Sequence, residues 1–298
     1  MSEGQRVQKT PNWSLQQLPE MDTQQFRQWQ ALLEARTGVC VSEQRRSYLQ
    51  TSLLARMRSL QIDGYEAYYQ YVTDGVTGII EWSALIDHLT VRETCFMRHR
   101  PSFDGVARHL QQRLQEDASR PLQLWSLGCA SGEEAYSLAM VASDAVSAVP
   151  ENAGFAVWAT DISLKALEQA RVGNYSGARL NGLTDQERTR YLQAVEGGRY
   201  QVVDSLRQRV CFSRLNVLEL AQAPIANLDV IFCQNLLIYF RRWRRRDLLN
   251  LLAKRLVPGG VLVIGLGEVM DWNNSLLERL PDDRIQAYRR RSSNESLE

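Results

Sequence analysis

A chain of 298 residues, 44% hydrophobic and 23% charged, has the size and composition of one large or two smaller globular domains with ample core. The formal net charge of +1 excludes a global field that would draw the protein to nucleic acid or to a membrane surface, so any electrostatic steering is local. No apolar stretch approaches the roughly 18 residues of a membrane span and no signal-peptide pattern opens the chain, which reads as a cytoplasmic protein without membrane insertion.

Residues 1–20 are polar, carry Pro11 and Pro19, and read as a flexible leader. Helical patterning starts at Met21, with Asp22 or Thr23 as N-cap and Phe26, Trp29, Leu32 and Leu33 as an apolar face. Gly38 closes that helix. Ser42 is placed to cap a second, whose stripe is Leu49, Leu53, Met57 and Leu60. Asp63-Gly64 marks a turn, Tyr65–Val72 a third helix and Ile79–Leu89 a fourth. Together they predict a helical domain over 21–115, ended by a polar linker near Gln115–Arg120. Arg36, Arg45, Arg46, Arg56 and Arg58 are opposed in sequence only by Glu43, and Arg45 and Arg56, eleven residues apart, share one side of a helix. Such a face is either solvated or a contact for an acidic partner.

The run Leu122–Leu127 is short, apolar and bounded by Pro121 and Gly128, as a buried strand should be. Gly128 and Gly132 bracket a tight turn, and a helix follows from Glu133. Strand, glycine turn and helix form the first half of a nucleotide-binding βαβ unit, in which glycines let the backbone approach a ligand. The next strand, Phe155–Thr160, ends in Asp161, where such folds accept ribose hydroxyls. The glycine spacing is neither G-x-G-x-x-G nor a phosphate loop. Glu133 and Glu134 at the helix start would repel a pyrophosphate and tolerate a cation or zwitterion, as S-adenosylmethionine is.

From Leu122 onward, strand-like runs at 122–127, 155–160, 209–213, 229–234 and 261–266 alternate with helices, predicting a doubly wound α/β domain over 116–288. The interval 174–208 is too long for a simple crossover, and Gly197-Gly198 between Tyr191–Val195 and Arg199–Val203 reads as a hairpin. Arg241, Arg242, Arg244, Arg245 and Arg246, interleaved with Trp243, open a helix whose dipole they oppose. Residues 289–298 read as a flexible charged tail. Cys40, Cys95, Cys129, Cys211 and Cys233 show no C-x-x-C spacing and read as reduced thiols, with Cys211 and Cys233 buried in strands. Pro101 interrupts the stretch carrying His88, His99 and His109, so no metal site is expected.

Three motifs resemble one family. W-S-L-G-C-A-S-G-E-E-A-Y-S-L-A-M at Trp125–Met140, A-T-D-I-S at Ala159–Ser163 and F-C-Q-N-L-L-I-Y-F at Phe232–Phe240 are similar to the chemotaxis-type receptor glutamate O-methyltransferases, from about Phe26 to Glu268. The resemblance implies an α/β fold: a small N-terminal helical domain, then a doubly wound Rossmann-like S-adenosylmethionine methyltransferase domain with an inserted antiparallel β-subdomain at 174–208 that docks receptors. It implies S-adenosylmethionine as cofactor, S-adenosylhomocysteine as product, and the cytoplasmic domain of a methyl-accepting chemoreceptor as partner of a monomeric enzyme. Within the segment Leu89–Arg98, it assigns Arg92, Thr94 and Arg98 to the cofactor. Further along it assigns Gly128, Glu133, Asp161, Asn216, Val217, Gln234 and Asn235 to the cofactor, with Arg98 and Tyr239 as catalytic residues. Arg45 and Arg56 become substrate-docking residues. The chain departs from the pattern at Arg92 and Met97, at Gln234, and at Leu266-Gly267, while Glu268 matches. These departures keep two other readings open, a methyltransferase acting on RNA or a small molecule and a catalytically impaired cofactor-binding adaptor, although nucleic acid is disfavoured as a partner. Overall resemblance leans to the type IV pilus chemosensory branch, but the motifs do not separate it from swimming.

Overall fold

The computed structural model describes residues 20–90, 93–149 and 153–292, so the leader, Arg92 and the end of the tail lie outside the described residues. The chain forms two compact units, one of residues up to Glu34 with Val41–Leu89, the other of Ala35–Cys40 with Thr90 onward. The boundary is therefore at Leu89, not near 115 as the sequence suggested. The difference is one helix, α5 (Arg100–Glu116), whose apolar stripe of Phe103, Val106, Leu110 and Leu114 shares a core with the central sheet. The stretch from His88 to His109 is broken as the sequence suggests, since one helix ends at Leu89 and the next starts at Arg100, with Pro101 at its start. The proline stands in the first turn of α5, where its missing N–H costs nothing.

The first unit contains α1 (Thr23–Thr37), α2 (Arg46–Leu60), α3 (Tyr65–Thr73) and α4 (Gly75–Leu89). Asp22 opens α1 with a reciprocal cap: its Oδ1 accepts from the Gln25 N–H at 2.8 Å, and Gln25 Oε1 accepts from the Asp22 N–H at 3.0 Å. Ser42 precedes a 3-10 turn, Glu43–Arg45, without a side-chain cap, so α2 starts only at Arg46. Met21, Phe26, Trp29, Leu49, Leu53, Met57 and Tyr68 are buried, with the Trp29 ring stacked on Tyr68 at 5.4 Å.

In the second unit, β1 (Leu122–Leu127), α6 (Glu133–Ser147), β2 (Phe155–Asp161) and α7 (Leu164–Val172) follow α5. A small antiparallel sheet is inserted next: β3 (Asn174–Ser176), α8 (Asp185–Tyr191), β4 (Leu192–Val195), β5 (Arg199–Val202) and α9 (Asp204–Arg207), with strand order β3-β5-β4. The hairpin joining β4 to β5 turns at Gly197 and Gly198, both at positive φ. The chain then returns to the main sheet through β6 (Val210–Arg214), β7 (Leu228–Cys233), α10 (Arg242–Ala253), β8 (Leu256–Ile264), β9 (Leu277–Arg279) and β10 (Gln286–Arg290). The main sheet has the order β6-β2-β1-β7-β8-β10-β9, its first five strands parallel and β10 antiparallel to both neighbours.

Central strands β1 and β7 are apolar on both faces because both faces are covered. Leu124, Val230 and Phe232 join the core beneath α5 and α6, while Trp125, Ile231 and Cys233 join the one beneath α10. The buried Asp229 on β7 is neutralised by Arg113 and Arg120 and accepts from the Gln123 N–H at 2.8 Å. Two expectations fail at the sheet's margins. Arg289 and Arg290 belong to β10 rather than to a loose tail, because Arg289 pairs with Val261 of β8 and Arg290 with Leu277 of β9. Cys211 is exposed, since β6 is an edge strand covered on one side only, whereas Cys233 is buried.

Candidate functional site

The carboxyl ends of the parallel strands bring the sequence-predicted glycine turn beside the ribose-type acid. Leu127 pairs in register with Thr160, and the Gly128 and Cys129 N–H groups both donate to the Thr160 carbonyl, at 2.8 and 3.0 Å. Asp161, one residue on, accepts from the Ala130 N–H through Oδ2 and from the Ser163 N–H through Oδ1, each at 2.9 Å. The turn reverses direction through alternate left-handed residues, Gly128, Ala130 and Gly132, at φ of 80°, 46° and 96°.

Both glycines answer to packing within the protein as well. A Cβ at Gly132 would stand 2.8 Å from the Ala170 Cβ and 3.0 Å from the Tyr175 hydroxyl, and one at Gly128 would meet the Leu236 side chain at 3.0 Å. This close approach brings the turn against α7 and the residues after β7.

Carboxylates collect around this turn. Glu133 is fully buried: Oε2 accepts from the Ser131 hydroxyl at 2.7 Å, while Oε1 has no hydrogen-bond partner among the described residues, with Arg179 Nη1 3.8 Å away. Burial pushes its pKa above the ordinary carboxylate value. Part of the Glu134 side chain reaches solvent, yet its carboxyl is enclosed and accepts from the Ser126 hydroxyl at 2.7 Å. Burial pushes Glu134 up to about 8, with the charges of Glu268 and Asp161 adding to the rise and Arg98 opposing it. Glu268, after β8, is likewise raised by burial, against the pull of the Gly265, Ile238 and Asn235 amides and the Arg245 charge. Its Oε2 accepts from the Gly265 N–H at 2.9 Å. An acidic, partly desolvated cradle of this kind fits a cationic ligand and rejects a pyrophosphate. Among the described residues, Glu133 Oε1 and Glu268 Oε1 are both buried without a hydrogen-bond partner and call for a donor.

The other expected residues divide between this cradle and structural duties. Arg98 is exposed, donates to the Glu93 carbonyl at 2.9 Å, and lies close enough for its charge to act on Glu134. Thr94 comes to the site through Arg179, whose guanidinium bonds the Thr94 carbonyl and faces Glu133. Arg179 carried no signal in the sequence, because it reaches the site from the turn after β3. Val217 follows β6, whose end is tied to Asp161 by the Leu215 N–H donating to the Asp161 carbonyl at 3.0 Å. Asn216 spends its side chain on the chain itself: Nδ2 donates to the Arg36 carbonyl at 2.7 Å and Oδ1 accepts from the Leu218 N–H at 3.1 Å.

Gln234 is turned inward, its amide donating to the Ser102 hydroxyl at 2.8 Å and to the Ile264 carbonyl at 3.3 Å. The cofactor role expected for its side chain gives way to a buried link between β7, α5 and β8. Asn235 holds a left-handed φ of 59° at the strand's end, and Tyr239 lies in the 3-10 turn Leu237–Tyr239 just beyond. The docking assignment of Arg56 also fails. Its guanidinium is engaged bidentately by Glu81 of α4, at 2.8 and 2.6 Å, and the Tyr68 hydroxyl donates to the same carboxylate at 2.6 Å. Tertiary folding supplies an acid that the local sequence lacked. Arg45 is exposed, but it ends a 3-10 turn, so α-helical spacing does not align it with Arg56.

Comparison with known proteins agrees with this geometry. The profile described as "CheR methyltransferase, SAM binding domain" matches residues 92–285, and "CheR methyltransferase, all-alpha domain" matches residues 24–90. The chain is 32% identical to a "Chemotaxis protein methyltransferase" of Salmonella typhimurium over 246 residues, 82% of this chain and 83% of that one. It is 32% identical to the protein of the same name from Escherichia coli over 257 residues (85% and 86%), and 33% identical to that of Klebsiella aerogenes over 259 residues (85% of each). Among solved structures, an O-methyltransferase family protein from Burkholderia thailandensis is 13% identical with a TM-score of 0.40, covering 83% of this chain and 70% of that one. A glycine turn against Asp161, an acidic cradle at the strand ends and both domain matches over nearly the whole described chain place this protein in the CheR methyltransferase family, with S-adenosylmethionine as its cofactor.

Proposed function

We propose that the protein is a protein-glutamate O-methyltransferase that esterifies side chains on the cytoplasmic domain of a methyl-accepting chemoreceptor. The observation that carries the reading is the carboxylate cradle of Asp161, Glu133, Glu134 and Glu268 at the strand ends, in a chain matched by both CheR domains. S-adenosylmethionine supplies an electrophilic methyl group on a sulfonium whose sulfur leaves as a neutral thioether.

The chain's own residues then have positional work. Asp161, fixed by the Ala130 and Ser163 amides, offers its carboxylate to ribose hydroxyls. The acidic cradle suits a cationic ligand, and its negative field deepens when Glu134 ionises near pH 8. A substrate glutamate, with a reference pKa of about 4.3, is already ionised near neutrality, so no side chain has to remove a proton. Arg98 orients that carboxylate through its guanidinium fork, and Tyr239 offers its hydroxyl beside the same strand end. Methylation replaces a charged side chain by a neutral ester and so changes repulsion within the receptor's helices.

Incubation with isotope-labelled S-adenosylmethionine and a purified receptor cytoplasmic fragment should label glutamate residues, located by peptide mass spectrometry. Absence of label in the receptor, with label appearing in RNA or small molecules, would transfer the protein to another substrate class.

A further inference from the structure

We propose that the rim formed by the turn Leu237–Tyr239, the first turn of α10 and residues 265–271 grips an acidic, amphipathic helix of the receptor beside the methyl-transfer site, an inference that rests on the function proposed above. These segments all leave the carboxyl ends of β7 and β8. One guanidinium joins them: Arg245 donates to the carbonyls of Ile238 at 3.3 Å, Phe240 at 2.8 Å and Glu268 at 2.8 Å. Arg246 adds a bond to the Asp271 carbonyl at 2.9 Å. The rim is thus held in shape before any partner arrives.

Large apolar side chains stand out from it. Ile238 is 46% exposed, Trp243 52%, Leu266 51% and Met270 84%. Single exposed hydrophobics are ordinary, but four on one cross-linked rim form a surface suited to an apolar stripe. Arg244 lies over the Trp243 ring at 4.4 Å, which fixes the indole as a rigid anchor. Arg241, Arg242 and Arg246 are exposed around it; no acid occurs from Ile238 to Arg246, and the exposed Asp247 and Asp271 still leave these segments with an excess of arginine.

Basic residues at a helix N-terminus oppose its dipole, so local stability does not account for them. Arg245 and Arg246 are accounted for by the carbonyls they bond, and Arg244 by its stacking. Arg242 remains, exposed, and the excess of arginine on this rim complements a partner rich in glutamate. A helix with glutamates along one flank of an apolar stripe satisfies both halves of the surface, and it brings a glutamate to Tyr239 in the same turn. Nucleic acid would use the arginines and Trp243 but would leave Ile238, Leu266 and Met270 without aliphatic contact.

The test uses the full-length protein with S-adenosylmethionine and a receptor cytoplasmic fragment. The double variant Arg242→Glu/Trp243→Ser should raise KM for receptor about tenfold and weaken its salt dependence, leaving kcat and cofactor Kd within roughly twofold. Met270→Ser, at a side chain almost wholly in solvent, should raise KM by about threefold with unchanged Tm, which guards against misfolding of the double variant. An unmoved KM in both variants, with the wild type methylating receptor normally, would overturn the docking surface and leave the proposed function standing. Loss of a labelled tRNA gel shift in the double variant, with receptor KM unmoved, would overturn it in favour of nucleic acid. A wild type that methylates no receptor glutamate would overturn the functional reading and this assignment together.

Discussion

Asp161 and Gly132 lie within one short turn and do different work. Both carboxylate oxygens of Asp161 are oriented by backbone amides, so Asp161→Ala should weaken cofactor binding by about 1–3 kcal/mol, as titration calorimetry would measure. Affinity within the error of wild type would remove Asp161 from the site. Gly132→Ala acts through folding: its φ of 96° is unfavourable for any L side chain, and the new Cβ would press on Ala170 and Tyr175. A stability loss of about 1–3 kcal/mol is expected in denaturant titration, in excess of any direct effect on cofactor contact. Arg98→Ala should lower kcat more than Tyr239→Phe, and kcat at saturating cofactor should be flat from pH 6 to about 9, because no proton is transferred. Cofactor affinity, in contrast, should strengthen as pH rises through about 8, where Glu134 ionises and deepens the negative cradle. A kcat limb near neutrality, abolished by replacing one His, Cys or Tyr, would contradict the carboxylate nucleophile.

Helix α2 shows how an element can mislead when taken alone. Its arginines form a basic face in sequence, yet the half-buried Arg56 is held in a bidentate pair with Glu81 that also receives the Tyr68 hydroxyl. Glu81 and Tyr68 are almost wholly buried, and burial raises the Tyr68 pKa, so this tyrosine remains a donor. Breaking such a pair leaves an uncompensated charge, whereas a solvated ion pair contributes little. Glu81→Ala should therefore destabilise the helical unit by about 3–5 kcal/mol, read by thermal unfolding. Arg56→Glu would set two carboxylates against each other and disturb folding first, so docking through α2 is better tested at Arg45. An unchanged Tm in Glu81→Ala would return Arg56 to the pool of docking residues.

At the scale of the molecule, raised carboxyl groups in the cradle link stability to pH. Folded, Glu134 holds its proton up to about pH 8, whereas its ordinary value is 4.5. Its contribution to stability is complete below about pH 4.5 and is lost as pH rises through about 8. His109, whose pKa burial lowers, acts with the opposite sign below its ordinary 6.5, so the wild-type profile alone is a composite. The difference between wild type and Glu134→Gln isolates the cradle: without cofactor, the variant should lose less Tm between pH 5 and 8. Parallel curves would mean that the Glu134 proton is not held by the fold.

The five parallel strands, the inserted hairpin and the glycine turn were legible in local patterns, whereas β9 and β10 were not. Strand length, glycine-bounded turns and short-range register depend on neighbouring residues, and those are adjacent in the chain. The unit boundary, the inward turn of Gln234, the Glu81 partner of Arg56 and the link from Arg179 to Glu133 were not legible. Each depends on residues distant in sequence that meet only after packing, and burial then redirects the same side-chain chemistry. Gln234 illustrates the point, since its position at the end of β7 predicts a ligand contact, but Ser102, 132 residues earlier, takes its amide. The carboxylate cradle draws on both levels: its acids stand in recognisable motifs, and the raised pKa values arise from the enclosure that the folded strands and helices create.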